Sequence, residues 1–118
     1  MKITFRDQEL ELRYSYRLYI VYENIMGKGL NEEDFKTYTS LLTLIYATLV
    51  STLQVNKLDS NVTYDEFLNW IDNCPTNILT DFSMWFVQHL AAQQDKMDEN
   101  VAKELKENTP KSAKKSKN

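Results

Sequence analysis

The sequence predicts a mainly α fold of the α+β class: an N-terminal β-hairpin, a four-helix body with a long central helix, and a disordered basic tail. Three observations predict it. Two short runs at the start alternate apolar and polar residues. Thr37 to Asn56, TYTSLLTLIYATLVSTLQVN, carries no charge in a chain that is 26% charged. Two glycines and two prolines in 118 residues leave little material for the turns of a many-stranded sandwich. The length favours one domain, placed at 1–108, with enough chain for a core without staples. Apolar content of 42%, with 12% aromatics, argues for a folded protein.

In Lys2–Phe5, Ile3 and Phe5 share a face; in Glu9–Leu12, Leu10 and Leu12 do. Arg6-Asp7-Gln8 between them is a connection of turn length, so 2–12 reads as a hairpin. The turn lacks the Asn-Gly signal of the tightest hairpins. Ser15 is placed to cap a helix over 16–26, with Leu18, Val21, Tyr22 and Ile25 at helical spacing and Gly27 as its stop. The tyrosines around it read either as a binding surface or as a seal between hairpin and helix, rings in and hydroxyls out.

Asn31, followed by Glu32, Glu33 and Asp34, marks the next helix start, since acids meet the positive end of the helix dipole. The pattern predicts one helix over 32–54. Phe35, Tyr38, Leu42, Ile45, Tyr46, Leu49, Val50 and Leu53 form a wide apolar stripe. Leu41 and Leu44 lie off that stripe among Thr37, Ser40, Thr48 and Ser51, on a face that is polar yet uncharged. Three readings of this face are open: a membrane span, a core helix covered on several sides, and a core helix whose second face meets another copy or a partner. Nine hydroxyl and amide residues between Thr37 and Asn56 argue against the span.

Lys57–Val62 is a polar linker. Thr63 and Glu66 form a T-x-x-E capping box opening a short helix over 64–73, which Cys74-Pro75 ends. Asp59-Ser60-Asn61 begins like a calcium loop, but Tyr64 stands where glycine is needed and Trp70 where a bidentate acid is needed. A last helix is expected over 77–106, with Ile78, Leu79, Phe82, Trp85, Phe86, His89 and Leu90 on one face and Met84 and Val87 on the other. From Pro110 onward no residue is core-forming, so 109–118 is expected to be disordered.

Four lysines in that tail leave ten basic and seventeen acidic residues in Met1–Asn108, a net −7. An acidic body argues against broad phosphate-backbone binding. One cysteine, Cys74, excludes an internal disulfide and fits a reducing compartment, and the charged start does not read as a signal peptide. With one histidine, one cysteine, no phosphate-cradling loop and no metal-ligand spacing, the sequence points away from an enzyme and predicts no cofactor or metal. His89 on an apolar face and Cys74 without a nearby base read as structural.

The opening block MKITFRDQELELRYSYRLYIVYENIMGKGL resembles the small tail assembly chaperones of tailed bacteriophages and prophages. The likeness lies in the K-I-T-F…E-L-E-L hairpin, the R-Y-S-Y-R junction and a helix containing Y-E-N-I-M-G-K. Thr63-Tyr64-Asp65-Glu66-Phe67 with Trp70-Ile71-Asp72 is similar to the short helix such proteins carry before their last one, so the likeness covers Met1–Asp72, with a similar element order to about Gln94. The resemblance implies a hairpin followed by a helical body and a non-enzymatic role in the host cytoplasm. It implies binding of the tape measure protein and recruitment of tail tube subunits. It also implies a longer product made by ribosomal frameshifting, for which the codons of Lys111–Lys117 are a candidate slippery stretch.

For that role the candidate partner-binding residues are Tyr14, Tyr16 and Tyr19, the Leu41/Leu44 side of the central helix, and Met84 and Val87. A homo-oligomer is compatible with the same surfaces; a membrane is not expected. The alternative class is a small helical regulator or anti-defence protein that binds a host protein or nucleic acid.

Overall fold

The computed structural model describes residues 1–94. Strands β1 (Lys2–Phe5) and β2 (Gln8–Glu11) pair antiparallel, Phe5 facing Gln8 across a two-residue turn. Arg6 and Asp7 both take positive φ, 53° and 58°, the geometry whose twist suits a two-residue hairpin. The turn thus has the shape that Asn-Gly usually supplies, built from residues that pay for it in backbone strain. Ile3, Phe5, Leu10 and Leu12 bury the inner face.

Helix α1 (Tyr16–Met26) ends at Gly27, whose φ of 75° suits a residue without Cβ and whose N–H donates to the Glu23 carbonyl at 2.8 Å. Ser15 stands at the cap position, but its hydroxyl makes no capping bond. Leu18 and Tyr22 are fully buried, and α1 packs on α2. The expected burial of Ile25 fails: that side chain is exposed. Tyr22 is also contrary to expectation, because its hydroxyl is buried along with its ring.

The single helix expected over 32–54 is two elements. A 3-10 turn (Glu32–Phe35) is closed by a reciprocal capping box between Asn31 and Asp34. Thr37 then returns to extended backbone, and its hydroxyl accepts from the Ser40 N–H, opening α2 (Tyr38–Val55). A second cap six residues after the first restarts the helix and turns Tyr38 outward, exposed instead of lying in the stripe.

From Leu41 to Leu53, α2 is buried on nearly every side; only Leu42 and Tyr46, both placed on the predicted core stripe, are half-buried. Leu41 and Leu44 are core residues, which corrects their assignment to a partner-binding face. The hydroxyl face is buried without orphaned groups. Thr43 donates to the Thr39 carbonyl (2.7 Å), Thr48 to that of Leu44 (2.8 Å) and Ser51 to that of Thr48 (3.0 Å), while Thr52 accepts from the Arg13 N–H (3.0 Å). Such back-bonding lets small polar residues enter a core. By length and composition α2 could cross a membrane, at mean hydropathy 1.3, yet 56% of it is buried within the fold.

Helix α3 (Tyr64–Asp72) starts at Thr63, which accepts from the Glu66 N–H at 3.0 Å. The expected capping box is half made, because the Glu66 carboxylate is engaged by Arg6. A fourth helix, α4, runs from residue 78 to 94. The architecture is therefore an N-terminal hairpin followed by four helices. The chain divides into two compact units, Met1–Trp85 and Phe86–Asn118. The expected continuation of α4 to 106 and the disordered tail lie outside the described residues.

Candidate protein-binding surfaces

The hairpin is fixed to the helical body by two side chains. Arg6 reaches Glu66 through both Nε and Nη2 (2.9 Å each), the Asp59 carbonyl (2.9 Å) and the Asn61 carbonyl (3.0 Å). Its guanidinium also lies 5.0 Å from the Phe5 ring centre. The fork-shaped donor set is what allows one side chain to hold a carboxylate and two carbonyls together. The hydrogen bond from Arg6 holds the Glu66 carboxyl below the usual range. The second fixing residue is Trp70, whose indole N–H donates to the Thr4 carbonyl at 2.7 Å and whose ring meets Phe5 edge-on at 5.5 Å.

These contacts leave a groove of about 580 Å³ beside the outer edge of β1. Its hairpin wall is Met1–Thr4 together with Glu9 of β2; the facing wall includes Trp70, Asn73, Cys74, Pro75 and Ile78. Burial pushes the Cys74 thiol up from its ordinary range, which keeps it protonated and poorly nucleophilic. Among the described residues no group of three His, Cys, Asp or Glu side chains is arranged to hold a metal.

A second surface is the outward side of α1. Tyr16 and Ile20, one turn apart, are 76% and 59% exposed. Tyr14 and Tyr19, proposed beside Tyr16 from the sequence, are half-buried and hydrogen-bonded to each other through their hydroxyls. Their rings meet edge-on at 5.8 Å, and Tyr14 also meets Trp85 at 6.3 Å. Burial, then this shared hydrogen bond, raises the Tyr14 phenol; burial raises that of Tyr19. The pair therefore seals the junction, while Tyr16 is the tyrosine offered to solvent. Met84 on α4 is exposed in the first unit. Val87 is exposed in the second.

Beside α1 a polar cluster gathers around the buried Asp34 carboxylate. The Asp34 carboxylate accepts from the Lys28 ammonium (2.6 Å) and the Asn31 N–H (2.9 Å). Burial works against its charge, but Lys28, Asn31 and Tyr22 outweigh that, and the carboxyl sits below its usual range. The Tyr22 hydroxyl forms no well-aligned hydrogen bond, yet burial and the neighbouring Asp34 push it up to about 12. Proximity to Asp34 without bonding geometry accounts for both observations.

Sequence reasoning missed Arg6, Trp70 and Ile20. Arg6 and Trp70 act across 60 and 66 residues, which no local pattern encodes. Ile20 was legible as the apolar residue off the α1 stripe. Comparison with protein-family models, curated protein sequences and solved structures gave no match to this chain.

Proposed function

We propose that this chain is a non-enzymatic tail assembly chaperone of a tailed bacteriophage or prophage. In this reading it binds the tape measure protein in the host cytoplasm and assists assembly of the tail tube around it. The observation that carries the reading is the hairpin leading directly into a helical body, the order that the resemblance of Met1–Asp72 implies. The outward α1 side supports it further. Two exposed apolar side chains at i and i+4, Tyr16 and Ile20, suit a brief contact with an amphipathic helix and are too few to make the chain self-adhesive. The client contact is assigned to that side, with Met84 as a further contact on the first unit; Leu41 and Leu44 are withdrawn from it because they are buried. The net −7 of Met1–Asn108 favours a client segment rich in lysine or arginine.

Co-expression with the tape measure protein encoded beside this gene is the test. The wild-type chain is expected to keep that protein soluble and to co-purify with it, and Tyr16→Ser/Ile20→Ser to lose most of the complex while keeping its helical circular dichroism. A folded chain that captures no tail protein, or a gene with no tail genes around it, overturns the proposal.

A further inference from the structure

The geometry points to the outer edge of β1 as a docking site for an extended, basic segment of a partner protein, which would add a third strand to the hairpin. The Leu12 N–H donates to the Met1 carbonyl at 2.8 Å, so Met1 and Leu12 form a hydrogen-bonded pair. Antiparallel pairs alternate, and with the observed register this makes Lys2/Glu11 and Thr4/Glu9 the pairs that exchange no bonds. The N–H and C=O groups of Lys2 and Thr4 consequently point away from β2. Trp70 occupies one of the four, the Thr4 carbonyl. For the Lys2 N–H, the Lys2 carbonyl and the Thr4 N–H, no hydrogen-bond partner occurs among the described residues. Three backbone groups at strand spacing, beside an open groove with Trp70, Pro75 and Ile78 on its facing wall, form a template for strand addition.

Charge and geometry choose the occupant. Lys2 is paired with Glu9 at 3.5 Å, whereas the Asp81 carboxylate at the groove wall holds only the Asn77 amide, at 2.8 Å, among the described residues. A lysine or arginine in the incoming strand would complete it. A second copy of this chain fits poorly. Antiparallel self-pairing either sets Lys2 against Lys2 or requires the Thr4 carbonyl that Trp70 already holds, and like charges directly opposite destabilise a ladder. The same occupied carbonyl gives the site a signature: the incoming residue opposite Thr4 needs no N–H, so proline is tolerated there.

This inference does not rest on the chaperone reading. Its test uses the full chain, a library of random displayed heptapeptides, and counter-selection on Thr4→Pro. That substitution removes an N–H which the β1–β2 ladder does not use and keeps the carbonyl for Trp70, so the hairpin should survive; unchanged tryptophan fluorescence in a Trp85→Phe background checks it. Selected peptides, made synthetically, are expected to carry lysine or arginine and to bind wild type about tenfold tighter than Thr4→Pro. They should bind Asp81→Asn more weakly than wild type, and slow hydrogen exchange at the Lys2 and Thr4 amides. Failure to select any peptide that discriminates against Thr4→Pro overturns the inference. So does selection of peptides that perturb Tyr16 and Ile20 instead of the β1 edge. Neither result bears on capture of the tape measure protein, which is read separately.

Discussion

The uncharged hydroxyl face of α2 makes a sharp prediction, because a core face and a docking face respond oppositely to the same substitutions. Thr48 is fully buried, and its hydroxyl bonds only to the Leu44 carbonyl, at 2.8 Å. Thr48→Lys places an unpaired ammonium where no water reaches, which should cost about 3–5 kcal/mol. That is a large part of the roughly 5–15 kcal/mol available to a domain, so the variant is expected to be unfolded or nearly so. Thr48→Val should change stability by no more than about 0.5 kcal/mol, since the Leu44 carbonyl keeps its helical bond and a methyl replaces the hydroxyl in an apolar setting. Thr52→Val is the contrast. The Thr52 hydroxyl is the acceptor of the Arg13 N–H at 3.0 Å, and removing it strands a donor at the hairpin–helix junction, for a loss of about 1–3 kcal/mol. Urea unfolding followed at 222 nm reads all three, with the slope m checking that each variant remains two-state. A soluble Thr48→Lys protein of wild-type stability would refute the core assignment and return this face to the pool of docking surfaces. Thr52→Val indistinguishable from Thr48→Val would refute the role given to the Arg13 bond.

Three further outcomes follow from local geometry. Lys57 ends α2 in the left-handed region, φ 58°, so Lys57→Gly should raise the urea midpoint by the equivalent of about 0.5–1 kcal/mol. Arg6→Ala should free the hairpin turn from the 59–66 segment, read as faster amide exchange at Phe5 and Gln8, with the helical signal retained. Asp34, depressed in the folded state, lends stability that is present above the unfolded carboxyl pKa of about 3.9 and lost as pH falls through the lower folded value. Asp34→Asn should flatten the acid limb of a stability–pH curve below about pH 4, and an unchanged limb would show that the Lys28 contact contributes nothing there.

The elements that the sequence made legible are those encoded within one turn or one strand. Alternation in Lys2–Leu12 specified the hairpin, Gly27 the end of α1, and Thr63 the start of α3. What stayed hidden depends on partners distant in sequence or on competition between two adequate signals. Asn31 and Thr37 are both good caps six residues apart. Periodicity carries straight through them, so only the folded backbone shows that the helix restarts at Thr37. Periodicity also reports which residues of α2 share a side, never how many sides are covered. Leu41 and Leu44 therefore read as surplus surface until Thr43, Thr48, Ser51 and Thr52 were each seen to be hydrogen-bonded and buried. The tyrosine cluster divides for the same reason: Tyr14, just before the helix, and Tyr19, within it, satisfy each other's hydroxyls and Tyr16 faces outward.

The two candidate surfaces place different demands on the hairpin, and Arg6 is where these meet. A client helix on α1 needs only Leu18 and Tyr22 buried against α2. Strand addition at β1 needs the hairpin itself held rigid, because an isolated two-stranded ribbon is marginal in water. The turn at Arg6 and Asp7 carries left-handed strain that works against the ribbon, while the Arg6 side chain ties that turn to Glu66, Asp59 and Asn61. A turn built from Asn-Gly would relieve the strain and lose the tether. Retaining arginine there favours a hairpin whose position relative to α3, and hence the width of the groove beside Trp70, is fixed before any partner arrives.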